Sequence, residues 1–395
     1  MNNVAQGSLP QQFSKILVIR RDNIGDLLCT TPMLSALRRR YPAAHIAVLA
    51  NDYNAPVLAG NPDVDKVYAY TKAKHSAASK WHARWSELKL YLELRHAAYE
   101  LVIHANPSPH PRTGRLAKFL RAPYRLGVIS SDNGPRDAHF NIGIPAQDVR
   151  GTHHVEKVFS LLAPLGITGS PGPMTLKMID DTSGQNAAPA SDYPARVIGV
   201  HLSSRKACNR WPLAAFSRLI ESLLGASLRV ALFWAPGSEH DPRHPGDDEH
   251  ARALAERFGH AIKETLKNPL SPDYGGEGKG EGASLALDSK SPSPPPSPLK
   301  GEGERISPRA LELIPTPTLE SLIHGLNQMD AVVCCDGGAL HIASALGKPV
   351  VALFGCTDPR TWGPWRVEHR VLQGEGDAAA IQSSAVFEAV KSLLT

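Results

Sequence analysis

The sequence predicts an α/β protein whose sheets are parallel and covered by helices on both faces. Three observations carry that prediction. Short apolar runs alternate with helix-length segments along most of the chain, as strands joined by crossover helices require. At 395 residues the chain is too long for one ordinary core, which predicts two domains. Finally, Ala331 to Pro359 reads as strand, glycine turn, helix and strand, one β-α-β unit.

Composition narrows the class. Hydrophobic content of 42% and charged content of 21% are those of a globular protein. No apolar run reaches membrane-span length, and the first residues, MNNVAQGSLPQQFSK, lack the apolar core of a signal peptide. Five cysteines, two of them adjacent in an apolar strand, do not read as a disulfide framework. A cytoplasmic protein is expected. A net charge of +5 is modest and does not imply nucleic acid, so none is expected as a partner.

In the first half, Ile16 to Ile19 is a buried-strand pattern leading into Arg20-Arg21-Asp22-Asn23-Ile24-Gly25-Asp26. A helix is expected from Leu27 to Arg40, its basic end suited to a helix C-terminus. His45 to Ala50, Lys66 to Tyr70 and Leu101 to Ala105 read as strands, and Trp81 to Ala98 as a helix. Between Asn106 and Ser131 there is no acidic residue, while Arg112, Arg115, Lys118, Arg121 and Arg125 recur every three or four positions. That spacing lines one side of a helix, either as a solvated face or as a surface for an anionic acceptor or lipid head groups.

A Pro- and Gly-containing run, Gly169 to Pro194, reads as an interdomain linker. The expected division is a first domain at 1–170, a linker at 171–195, a second domain at 196–377 and a closing segment at 378–395. In the second domain Arg196 to His201 is a strand, Leu202 to Arg210 a basic loop, and Trp211-Pro212 opens a helix to Leu224. Arg229 to Trp234 is the next strand. Residues 268–307, with GGEGKGEG and SPSPPPSPLKGEGE, carry too little apolar surface to offset ordering entropy and are expected to be a disordered insertion. Order returns at Leu311 to Ile314, and Thr318 caps a helix to Asn327. Ala378 to Leu394 is expected to close the chain as a helix packed back on the first domain.

The candidate chemistry lies at the carboxyl ends of the strands. Asp336-Gly337-Gly338 joins the strand Ala331 to Cys335 to the helix Ala339 to Leu346, and Gly355-Cys356-Thr357-Asp358-Pro359 follows the strand Val350 to Phe354. Glycines there allow close backbone approach, and free N–H groups at the helix start attract a phosphate. Asp336, His341, Thr357 and Asp358 crowd that edge. His240, Asp241, His244, Asp247, Asp248 and His250 fit no metal-ligand spacing and read as a solvated loop. The sequence contains neither a G-x-x-x-x-G-K-[ST] loop, a G-x-G-x-x-G after the first strand, nor a G-x-S-x-G turn.

Three stretches, ILVIRRDNIGDLLCTTPMLSALRRRYP, VIGVHLSSRKACNRWPLAAFSRLIESL and DGGALHIASALGKPVVALFGCTDP, resemble glycosyltransferase family 9, the heptosyltransferases of lipopolysaccharide synthesis. The resemblance implies a GT-B architecture, two Rossmann-like domains facing across a cleft. The first would hold a lipopolysaccharide core acceptor and the second an ADP-linked heptose. Transfer would invert the anomeric carbon and use neither metal nor cofactor. By the same resemblance Asp26 matches the general base, and Ser203 and Ser204 the phosphate-binding hydroxyls. Glu239 lies near the ribose contact, and Asp336, Gly337, Gly338 and His341 match the diphosphate and sugar turn. Arg112, Arg115, Lys118 and Arg121 remain candidates for the acceptor, with peripheral contact at the inner membrane as one use of their charge.

The chain departs from the family at one informative place. A lysine usually stands two residues before the Trp-Pro pair, where Asn209 stands here. Either Arg205 or Lys206 reaches in from the same loop, or leaving-group stabilisation is weaker. Two rival readings follow: a GT-B transferase with a different nucleotide-sugar, and a non-catalytic nucleotide-sugar-binding protein.

Overall fold

The first expected strand forms as β1 (Lys15–Ile19), one residue longer at its start, with every side chain after Lys15 buried. Burial on both faces places it inside a parallel sheet. The computed structural model describes residues 9–70, 80–109, 111–130, 139–146, 151–178, 196–241, 246–259 and 310–395. The 268–307 insertion and most of the linker lie outside them.

The first sheet continues with β2 (His45–Asn51), β3 (Lys66–Tyr70), β4 (Leu101–His104), β5 (Tyr124–Ile129) and β6 (Ile142–Pro145). Its helices are α1 (Ile24–Leu28), α2 (Thr31–Arg40), α3 (Lys80–His96), α4 (Pro111–Phe119) and α5 (His154–Phe159). The second sheet comprises β7 (Val197–His201), β8 (Arg229–Trp234), β9 (Leu311–Pro315), β10 (Ala331–Cys335), β11 (Val350–Phe354) and β12 (His369–Gln373). With it go α6 (Leu213–Gly225), α7 (Asp248–Arg257), α8 (Leu319–Asn327), α9 (Gly338–Ala345), α10 (Pro359–Trp362) and α11 (Ser383–Leu394).

Both sheets are six-stranded and wholly parallel, in the orders β3-β2-β1-β4-β5-β6 and β12-β11-β10-β7-β8-β9. Counted within each half, this is the same doubly wound order twice. The order reverses between β1 and β4 and between β7 and β10, and ligands of such sheets bind outside the carboxyl ends at that reversal. One apolar core fills the space between the two sheets and draws on both, from Ile16, Val18 and Ile103 to Val332, Cys334 and Phe354. Separate layers cover the two outer faces, one around Leu94, Leu116 and Leu120, the other around Phe216, Leu219 and Val390.

Two expectations are corrected. The single helix from Leu27 to Arg40 is two helices, α1 and α2, with the break at Cys29 and Thr30. Pro32 has no N–H to give the Leu28 carbonyl, and the Thr31 hydroxyl donates to that carbonyl instead at 2.8 Å. The closing helix does not return to the first domain. Val386, Val390 and Leu393 of α11 pack with α6 and against β10, β11 and β12. The Trp211 indole N–H holds the turn before α11 by donating to the Ile381 carbonyl at 3.0 Å.

Candidate active site

Asp26 sits in the first turn of α1, just past the carboxyl end of β1. One of its oxygens accepts from the backbone N–H and side-chain amide of Asn23, at 3.0 and 2.9 Å. This is half of a capping box, which satisfies donors that a helix start leaves open. The other oxygen pairs with Arg20 at 2.5 Å and lies 3.4 Å from His154 Nε2. Burial pushes the Asp26 pKa up, but the Arg20 charge and the Asn23 hydrogen bonds outweigh it and hold the carboxyl below its ordinary value. The group is a carboxylate at neutral pH.

Arg20 is only 1% exposed. Its guanidinium donates to the Ala105 carbonyl beyond β4, to Asp26 and, at 2.8 Å, to His154 Nε2. It therefore bridges the two strands at the first reversal point. Burial, with Arg20 next, pushes the His154 pKa down to about 3, so the imidazole is neutral and accepts the guanidinium N–H.

At the second reversal point the Ser204 hydroxyl, from the loop after β7, donates to the Asp336 carbonyl after β10 at 3.1 Å. The Asp336 carboxylate accepts from Asn209 at 3.0 Å and Thr357 at 2.8 Å. Asn209 is fully buried, and its carbonyl oxygen also accepts the Gly355 N–H at 2.9 Å. Where the family usually has a lysine, this chain has a structural amide inside the loop. The exposed Arg205 reaches across the cleft and donates to Asn23 Oδ1 at 2.8 Å. Lys206 beside it is also exposed. The cysteine spacing predicts no disulfide framework; the structure carries one bridge, Cys208–Cys356, joining this loop to the turn after β11. Cys29, Cys334 and Cys335 are free and buried.

The two halves meet where α1 faces α9. Gly338, the first residue of α9, packs on Ile24. The His341 ring lies so close to Gly25 that a Cβ there would overlap it. Burial pushes the His341 pKa down to about 4, and its Nδ1 lies 3.9 Å from the Cys29 sulfur. Farther along the same seam His154 stacks on Trp362 at 4.3 Å and His153 on Trp365 at 4.5 Å. His153 Nε2 also bonds the Gly363 carbonyl at 2.9 Å.

The structure thus gathers Asp26, Ser204, Arg205, Asp336, Gly337, Gly338 and His341 around one cleft. Ser203 stands next to them, its hydroxyl donating to Asp247 at 2.5 Å and accepting from the Ala235 N–H. Glu239 is apart from this group in the loop after β8, near His240 and His250. The expected basic stripe is on α4, which starts at the carboxyl edge and runs away from it. Arg115 and Lys118 are exposed there, Arg121 is exposed just past its end, and the Arg112 side chain lies outside the described residues. Sequence reasoning passed over Arg20, His153, His154, Trp362 and Trp365. A charge closing an apolar strand, and a His pair opening an amphipathic helix, were the available signals.

The model of "Glycosyltransferase family 9 (heptosyltransferase)" matches residues 87–262 and 302–389, more than half of the chain. A lipopolysaccharide heptosyltransferase 3 of Escherichia coli K12 is 25% identical over 345 residues, covering 86% of this chain and 82% of that protein. The glycosyl transferase family 9 structure from Veillonella parvula superposes with a TM-score of 0.69 at 18% identity, covering 98% of each chain. The E. coli heptosyltransferase WaaC with ADP superposes with a TM-score of 0.66 at 17% identity, covering 96% of this chain and 99% of that one. Two doubly wound halves facing across a cleft are the GT-B architecture. With the motifs at both reversal points and a family match over most of its length, this chain belongs to glycosyltransferase family 9 and is a glycosyltransferase.

Proposed function

We propose that the enzyme moves a heptose from ADP-heptose to a lipopolysaccharide core acceptor, a Kdo or heptose unit, with inversion and without a metal. The observation that carries this reading is Asp26, a buried, ionised carboxylate at the first reversal point, on the helix α1 that packs against α9 of the second half. In the proposed step an acceptor hydroxyl attacks the anomeric carbon from the face opposite the diphosphate. The carbon–oxygen bond to the diphosphate breaks with its electron pair, releasing ADP, and the hydroxyl proton passes to Asp26. The backbone N–H groups at the start of α9 and the Arg205 guanidinium offset the growing negative charge. Arg205 takes the place of the cation absent at Asn209. The relative captured with ADP supports the adenine nucleotide, and the E. coli relative's name supports the acceptor class. A nucleotide-sugar donor implies a cytoplasmic setting.

Calorimetric titration with ADP, UDP and GDP tests the donor, and ADP should bind at least about tenfold more tightly than the others. ADP release from ADP-heptose should require a core acceptor and survive EDTA. Preference for UDP or GDP would assign a different nucleotide-sugar to the same architecture.

A further inference from the structure

Asp26 is not the only carboxylate at the first reversal point. Arg20 holds Asp26 through Nη2, and its Nε lies 3.3 Å from Asp22. Nε and Nη2 share one edge of the guanidinium, so the two carboxylates stand side by side. The Asp26 side chain is 10% exposed and the Asp22 side chain 36%. One cation between two anions leaves this corner negative, since His154 beside it is neutral. The other nearby cations are engaged elsewhere. Arg21 stands over the Tyr70 ring and donates to the Tyr91 hydroxyl at 3.0 Å, and Arg205 meets Asn23.

The backbone of Asp22 is tightly held. Its carbonyl accepts from the Asn51 amide at 2.8 Å, the Tyr53 hydroxyl at 2.6 Å and the Asn54 amide at 3.2 Å. Both asparagines are fully buried. The carboxylate, by contrast, is held at one oxygen. Oδ2 faces Arg20 Nε and accepts the Asn106 side-chain N–H at 3.2 Å. Asn106 is itself oriented, its carbonyl oxygen accepting the Ser108 N–H at 2.9 Å. Among the described residues no group bonds Oδ1. The next residue, Asn23, is the one that Arg205 of the second half reaches. A charged acceptor atom is therefore fixed and open to solvent beside Asp26.

We infer that Asp22 positions the acceptor: its Oδ1 accepts a hydrogen bond from the hydroxyl next to the one that Asp26 deprotonates, so the enzyme reads a pair of neighbouring hydroxyls. The inference rests on Asp26 as the base. Hydroxyls on adjacent sugar carbons lie about one hydrogen-bond length apart, which suits two carboxylates on one guanidinium edge. An ionised carboxylate only accepts, and a hydroxyl donating to it makes a charge-assisted bond. A phosphate at the same position would be repelled, which makes Asp22 a device for rejecting as well as for binding. A counter-ion serving Arg20 alone would show none of this preference.

Calorimetric titration of the native enzyme with core oligosaccharide freed of its lipid tests the inference. No donor is present, so the result does not depend on which sugar is transferred. The parent oligosaccharide should bind. Of the analogues lacking one terminal-sugar hydroxyl, one lacking a neighbour of the reacting hydroxyl should bind about 10–100-fold more weakly. An analogue phosphorylated at that neighbour should be rejected to a similar degree. Asp22→Asn can keep its carbonyl oxygen towards Arg20 and Asn106 and turn its NH₂ outward, so the melting temperature should hold. This variant should bind the parent about tenfold less well and the phosphorylated analogue at least about tenfold better than the native enzyme does. The monodeoxy series needs no variant and stands if Asp22→Asn fails to fold. No binding of the parent, equal binding of all the monodeoxy analogues, or an unchanged preference in a folded Asp22→Asn would overturn the inference. A preference for UDP or GDP would overturn the donor assignment and leave this result standing.

Discussion

Asp26 does two things at once, capping α1 through Asn23 and holding a negative charge against Arg20. Asparagine can still accept the Asn23 N–H, so the cap survives Asp26→Asn. It cannot take a proton from an acceptor, and turnover should fall about 10²–10⁴-fold. The substitution also removes the nearest counter-charge from a guanidinium that is 1% exposed. A stability loss of about 1–3 kcal/mol should accompany it, contrary to what a cap alone would give. Turnover measured well below the melting point separates the two effects, and native turnover there would remove Asp26 as the base. Because Arg20 holds the carboxyl below its ordinary value, kcat should show no titration of this group between pH 8 and 5. Asn209 offers a second test at this scale. Asn209→Ala removes bonds to Asp336, Thr357 and Gly355. It should cost about 1–3 kcal/mol in chemical denaturation and weaken donor binding, because the Asp336 turn loses its brace.

Elements were legible where both periodicity and burial spoke. The strands at Ile16, His45, Lys66, Arg229, Ala331 and Val350 formed within a residue or two of their expected bounds. So did the helix capped by Thr318, whose hydroxyl accepts the Ser321 N–H. The glycine turn of the second half was legible for the same reason, since β10, Gly337 and α9 are contiguous in sequence. The Arg20–Asp26–His154 cluster was not, because His154 reaches it from a helix 134 residues away. The break between α1 and α2 was also hidden, since Leu27, Leu34 and Leu37 keep helical spacing across Pro32. Thr31 closes that break, donating to the Leu28 carbonyl and accepting the Thr175 N–H, each at 2.8 Å. Thr31→Val keeps the shape and leaves both backbone groups unpaired. It should cost about 1–3 kcal/mol in urea denaturation; an unchanged midpoint would mean that water replaces the hydroxyl.

At the scale of the whole molecule, the core between the sheets draws side chains from both halves. Neither half can unfold without exposing apolar surface of the other, so calorimetry should show one cooperative transition. Two resolved transitions would mean that the shared core contributes little. Acid should weaken the fold early. His201 is buried at the end of β7, and burial pushes its pKa down to about 4, with Asp247 opposing. The unfolded chain therefore binds a proton near pH 6.5 that the folded chain refuses. Stability is then intact above that pH and falls as pH drops towards the folded value. Between pH 7 and 5 this group alone should cost about 2 kcal/mol. Denaturation at both pH values checks it, and His201→Leu should flatten that part of the slope.

The fit between Gly25 and His341 has a consequence for hybrid enzymes. The imidazole of one half occupies the space where a side chain of the other would begin, so each half bears the other's imprint. Chimeras that exchange halves between relatives should close only when a residue without a Cβ and a ring of this size are inherited together. A mismatched pair would act as a wedge, leaving the cleft ajar. Small-angle scattering of Gly25→Ala should show the same widening within the native chain, with donor affinity retained and transfer lost, since the donor turn would be intact but held away from Asp26.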